Sequence, residues 1–178
     1  MADDYRGLFG AFPYAFRKGD SLVFKLYVIF GTLAAAFIGV LFVFSLVVWI
    51  AETAGSPGGS LTLSRTFIAV VGLFAAGPLI APILLVARKH RKQLTYHPRY
   101  DTIIALTGVA FLGSIYLAAI ISMPECFELD GETVCREPPT GPFAPVVSLL
   151  YALPQIGAIA PPMIMLGGMG GVHYLLAR

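Results

Sequence analysis

The sequence predicts an all-α membrane protein with four transmembrane helices, both termini cytoplasmic, and a disulfide-stapled hairpin in the second outer loop. Three observations carry that prediction. The 178 residues are 57% hydrophobic and 12% charged, with a mean hydropathy of +0.81, whereas soluble domains are roughly 45–50% apolar and about 25% charged. The apolar residues are gathered into uncharged runs long enough to cross a hydrocarbon core roughly 30 Å thick. The positive residues collect between those runs, above all in Arg88-Lys89-His90-Arg91-Lys92 with Arg99 just beyond, while the only two cysteines share an acidic loop. One membrane domain over 1–178 follows.

Residues 5–16 place Leu8, Phe9, Phe12 and Phe16 at helical spacing beside Arg6, Arg17 and Lys18. This pattern suits a short interfacial segment in the headgroup region, with an aromatic tail packed on its own bundle as the alternative. Pro13 should kink or interrupt any helix there.

Span one covers 26–50. It is too long for the roughly 7–15-residue apolar region of a signal peptide. Asp20 and Ser21 can cap its start, and Lys25 and Trp49 sit where interfacial anchors belong. The linker through Gly55-Ser56-Pro57-Gly58-Gly59-Ser60 is flexible and turn-forming. Span two covers 66–87 and contains Gly77-Pro78 and Pro82, where helix breaks are expected and freed carbonyls must find partners. After the basic loop, Asp101 and Thr102 are candidate caps for span three, 102–123.

Phe143 to Leu176 is a predominantly apolar stretch without Asp, Glu, Lys or Arg. As one helix it would be roughly 51 Å long at about 1.5 Å per residue, too long for a straight span. Pro154 and Pro161-Pro162 are the expected breaks, so 143–158 is read as interfacial or re-entrant and 161–176 as span four; five spans is the competing count. With four spans, all the Lys and Arg residues except Arg65 and Arg136 share one side. That side is cytoplasmic by the positive-inside rule, which places the protein in the cell membrane.

Cys126 and Cys135 then fall on the outer side, where oxidation is permitted. Between them Asp130-Gly131 is a preferred two-residue hairpin turn. Around it 129 pairs with 132, 128 with 133, 127 with 134, and 126 with 135. The cysteine pair is of the non-hydrogen-bonded type, with a Cα separation of about 4.5 Å that a disulfide accepts. A structural staple is the expectation; the tight spacing of a redox pair is missing, and two thiols without histidine make half a zinc site.

No span carries an acidic residue, lysine or arginine in its interior, which counts against a proton-coupled transporter. Tyr116, Tyr151, Gln155 and His173 are the polar groups with a chance of burial; His173 reads as an interface anchor. No nucleophile elbow, phosphate loop or metal-binding helix occurs, there is no asparagine for a glycosylation sequon, and no basic groove with aromatics suggests nucleic acid. Neither an enzyme nor a cofactor is expected. Small-residue stripes at Gly31/Ala35/Gly39, Ala110/Ser114/Ala118/Ser122 and Gly167/Gly171 suit close helix packing. Arg88, Lys89, Arg91, Lys92 and Arg99 are candidate contacts for anionic headgroups.

The opening Met1-Ala2-Asp3-Asp4-Tyr5-Arg6-Gly7-Leu8-Phe9-Gly10-Ala11-Phe12-Pro13-Tyr14-Ala15-Phe16-Arg17, with Leu84-Leu85-Val86-Ala87-Arg88-Lys89-His90-Arg91, resembles small uncharacterised multi-pass membrane proteins of halophilic archaea. That resemblance implies no activity. Claudins also carry an outer cysteine pair, but theirs is in the first outer loop beside a tryptophan-rich motif, and this chain has one tryptophan, in a span.

Two functional readings follow. The leading one is a non-enzymatic accessory or structural subunit whose partners are the lipid bilayer and another membrane protein or a second copy of itself. The other is a small transporter or channel built on the paired Ile80-Ala81-Pro82 and Ile159-Ala160-Pro161 interruptions of spans two and four.

Overall fold

The computed structural model describes residues 7–55, 59–129 and 131–177. Helices α1 (Gly7–Lys18), α2 (Leu22–Glu52), α3 (Gly59–Arg91) and α4 (Tyr100–Ser122) lead to a two-stranded ribbon, β1 (Cys126–Leu129) and β2 (Glu132–Cys135). Then come α5 (Ala144–Tyr151), a 3-10 helix (Gln155–Ile159) and α6 (Ala160–Leu176). Four stretches are helical, long and apolar enough to cross a membrane: Leu22–Glu52, Leu63–Arg91, Tyr100–Ser122 and Gln155–Leu176. The last begins earlier than the sequence suggested, because the 3-10 turn runs directly into α6. At eight residues α5 cannot span.

Prolines are accommodated in different ways. Pro161 and Pro162 lie in the first turn of α6, where a missing N–H leaves nothing unpaired, and Pro154 separates α5 from the 3-10 helix. Pro78 and Pro82, expected as breaks, do not end α3, which continues through both. Nor does Pro13 interrupt α1. On α3 the packing compensates: Pro78, Leu79, Pro82 and Ile83 are all buried, and the Tyr27 hydroxyl donates to the Leu79 carbonyl at 2.6 Å. That donor arrives one residue beyond the carbonyl that Pro82 frees, in the same turn.

The chain forms two compact units, Met1–Val109 with Met169–Arg178, and Ala110–Gly168. In the first, Phe24, Leu79, Ile83, Val86, Tyr100 and Ile104 are fully buried. Its helices approach through glycine sockets for aromatic rings. A Cβ on Gly108 of α4 would stand 2.1 Å from the Tyr27 hydroxyl oxygen of α2; one on Gly72 of α3 would meet the Phe42 ring at 2.8 Å; one on Gly19 would meet Phe24 at 2.5 Å. Helix α1 turns Ala11 and Ala15 inward, and its aromatic residues lie elsewhere: Phe9 is 86% exposed and Phe16 40%. Small side chains permit the close approach of α1 to its neighbours.

The second unit contains the hairpin, whose register pairs Cys126 with Cys135, Phe127 with Val134, Glu128 with Thr133 and Leu129 with Glu132. This is the register that the Asp-Gly turn predicts. Gly131 has φ +84°, which favours glycine; Asp130 lies outside the described residues. The disulfide joins Cys126 and Cys135 across a Cα separation of 4.0 Å.

Candidate functional site

The most elaborate polar arrangement among the described residues lies in the first unit, where the start of α2, the end of α3, the start of α4 and the end of α6 meet. Its centre is Asp101, whose side chain is 3% exposed. A carboxylate so buried needs charged or hydrogen-bonding partners. Lys89 Nζ donates to Oδ1 at 2.9 Å, His90 Nε2 lies 3.1 Å from Oδ2, and the backbone N–H of Asp20 donates to Oδ2 at 3.2 Å. Two adjacent residues closing one turn of α3 thus grip both oxygens, and a third grip comes from the entry to α2.

Asp20 adds a second carboxylate, 70% exposed, whose Oδ2 lies 3.7 Å from Lys89 Nζ and 3.8 Å from His90 Nε2. Beside it Ser21 caps α2 by accepting from the Phe24 N–H at 3.5 Å. The same Oγ accepts from Thr102 Oγ1 at 2.7 Å, which ties the starts of α2 and α4. On the α6 side the Tyr100 hydroxyl lies 2.8 Å from His173 Nδ1, Tyr96 stacks edge-on to Tyr100 at 4.8 Å, and Lys89 Nζ lies 5.7 Å from the Tyr100 ring centroid. The His97 N–H donates to the Leu176 carbonyl at 3.2 Å, satisfying one of the carbonyls a helix end leaves unpaired.

Asp20, His90 and Asp101 offer ligand atoms within 4.8 Å of one another. The Lys89 ammonium, 2.9 Å from an Asp101 oxygen and 3.7 Å from an Asp20 oxygen, already neutralises both carboxylates. This donor set therefore suits an internal ion-pair network better than a metal. Its chemical capacity is cohesive: it joins four helix ends.

The sequence-derived candidates are distributed as follows. Lys89 belongs to the network, while Arg88, Arg91, Lys92 and Arg99 are exposed. Of the small-residue stripes, Gly31, Ala35 and Ser114 are buried, Gly39 and Ala118 half-buried, and Ala110, Ser122, Gly167 and Gly171 exposed. His173, read as an interface anchor, has its Nδ1 2.8 Å from the Tyr100 hydroxyl. Sequence reading missed the joining of Asp20, Lys89, His90 and Asp101. The available signal was opposite charge at helix ends assigned to one side.

A smaller cluster occupies the second unit. Arg136 Nη1 donates to the Met123 carbonyl at 2.7 Å, its guanidinium lies 4.1 Å from the Tyr151 ring centroid, and its N–H donates to the Glu125 carbonyl at 2.9 Å. One arginine thus fastens the hairpin base to the end of α4 and to α5. An open recess of about 340 Å³ lies beside it, lined in part by Glu125, Glu137, Ser148 and Tyr151.

No curated protein and no solved structure shows significant similarity to the chain. A family described as a domain of unknown function (DUF8056) matches residues 1–177, so both clusters and every helix lie inside the match, and the chain belongs to that family.

Proposed function

We propose that this is an integral protein of the cell membrane with four spans and cytoplasmic termini, acting as a non-enzymatic accessory or structural subunit that binds another membrane protein or a second copy of itself. The single observation behind this reading is the outward face of α6. Gly167, Gly168, Gly170 and Gly171 are exposed, and a Cβ at any of them would meet nothing within 4 Å. Lipid-facing positions gain from bulky apolar side chains, whereas bare backbone is what a second helix needs to approach closely. The resemblance to small multi-pass membrane proteins of halophilic archaea agrees with the membrane assignment.

Orientation rests on the positions of the basic residues in the sequence, where all but Arg65 and Arg136 fall in the segments assigned to one side of four spans. A transporter built on broken helices has less support, since α3 is unbroken at Pro78 and Pro82 and both prolines are buried. Native mass spectrometry of the protein gently extracted from its own membrane tests the subunit reading. A stoichiometric partner or homo-oligomer supports it, provided that Gly167→Leu with Gly171→Leu dissociates the complex. A bare monomer, or a water-accessible path past Pro78, Pro82 and Gln155 in cysteine labelling, sinks it.

A further inference from the structure

Helix α1 is too short to span, at 12 residues, and it is held to the first unit by its alanine face. Its outer edge is what needs an occupant. Phe9 and Phe16, seven residues apart and so on one side of the helix, are 86% and 40% exposed, and Leu8, in the same turn as Phe9 and about 100° round the helix from it, is 47% exposed. Such a cluster on a water-facing helix would be an adhesive patch.

What covers it is indicated by charge. The Asp20 and Asp101 carboxylates are taken up by Lys89 and His90. Arg17, three residues before Asp20, is exposed; so are Arg88 and Lys92, which flank Lys89 and His90, and Arg99, two residues before Asp101. Contact among Asp20, Lys89, His90 and Asp101 brings the chain positions of these four cations to one end of the unit, Arg17 follows Phe16 directly in α1, and α1 packs on α3, which carries Arg88. Cations beside an outward apolar edge are the chemistry of a helix lying in an anionic leaflet, with side-chain rings among acyl chains and guanidinium groups at phosphates.

We propose that α1 and this basic ring form one docking surface for anionic phospholipid, with Phe9, Phe16 and Leu8 in the acyl layer and Arg17, Arg88, Lys92 and Arg99 on headgroup phosphates. The surface rests on the reading of the chain as membrane-spanning but not on the subunit reading, and it needs no second protein.

The test uses the full chain, with Phe9→Trp and Trp49→Phe, reconstituted in vesicles of phosphatidylcholine and phosphatidylglycerol in which one lipid or the other carries brominated acyl chains. Trp49→Phe removes the one tryptophan, and the Trp49 Nε1 has no hydrogen-bond partner among the described residues. Expected is quenching by both lipids, with phosphatidylglycerol bound several-fold more strongly at this site. Each Arg→Gln or Lys→Gln change among the four should lower that preference by up to about fivefold, and all four together should abolish it. Absence of quenching by either lipid would overturn the proposal, because Phe9 would then face water or protein. Quenching without a preference for phosphatidylglycerol, or a preference that survives the fourfold variant, would overturn it equally. A failed subunit reading shows itself separately, as a monomer in native mass spectrometry with the lipid preference intact.

Discussion

Gly108 and Tyr27 show how much depends on single residues. The ring crosses from α2 over α4 at a place where a Cβ would fall 2.1 Å from its oxygen, and the hydroxyl reaches the proline-bearing turn of α3. Gly108→Ala should therefore displace Tyr27 and cost about 1–3 kcal/mol of stability in mixed-micelle unfolding. Gly167→Ala, with open space around it, should be neutral or gain up to about 1 kcal/mol. Equal effects at the two glycines would refute the socket. The sequence did not reveal this contact, because small-xxx-small spacing describes one helix surface while a ring-in-socket contact depends on the rotation of two.

Asp101 makes the same point with charge. Removing one partner of a buried pair strands the other, so Asp101→Leu should cost about 3–5 kcal/mol in the same assay. Adding Lys89→Met should restore a measurable part of that loss. Additive losses would mean that Lys89 and Asp101 do not interact. Sequence alone assigned Asp101 to helix capping and Lys89 to headgroups, each sensible locally; their pairing connects residues on opposite sides of the basic loop, and the grip of Asp20 on Asp101 spans still more of the chain.

Among the elements, the hairpin was the most legible. Asp-Gly fixes the turn, strand alternation fixes every pair outward from it, and the cysteines fall opposite each other by counting. Replacing both cysteines by serine should raise the local opening equilibrium of Cys126–Cys135 by about 2–3 kcal/mol, following the entropy of the short closed loop. Hydrogen exchange should show that change confined to the hairpin, with α2 and α3 protection unaltered; faster exchange in α2 or α3 would contradict the separation into two compact units. Arg136→Ala should loosen the hairpin base even with the disulfide intact, because the Met123 carbonyl and the Tyr151 ring lose their shared partner. Less legible was α1. Its aromatic stripe was visible, but not that alanine would take the inward face, since hydropathy ranks phenylalanine above alanine for burial while close helix approach ranks it below.

At the scale of the whole molecule, four long apolar runs survive any detail of packing, which is why they could be read from hydropathy and why all four recur as helices. Lateral contacts could not be read that way: in lipid an outward face and an inward face are equally apolar, so periodicity carries little information. The side chains exposed along α2 include Leu33, Phe37, Val43, Phe44 and Val47, an apolar surface of the kind that suits lipid. Within the first unit the Asp101 network joins one set of helix ends, while at the loop between α2 and α3 Arg65 makes a 2.7 Å bond to Thr53 Oγ1.

The most direct measurement is therefore sided labelling in intact cells. With Cys126→Ser and Cys135→Ser as background, single cysteines are introduced by Lys92→Cys and, separately, by Glu132→Cys, then exposed to a membrane-impermeant maleimide. The account predicts labelling of the Glu132→Cys protein from outside, and of the Lys92→Cys protein only after the membrane is opened. Labelling of Lys92→Cys in sealed cells, or protection of Glu132→Cys, would contradict it.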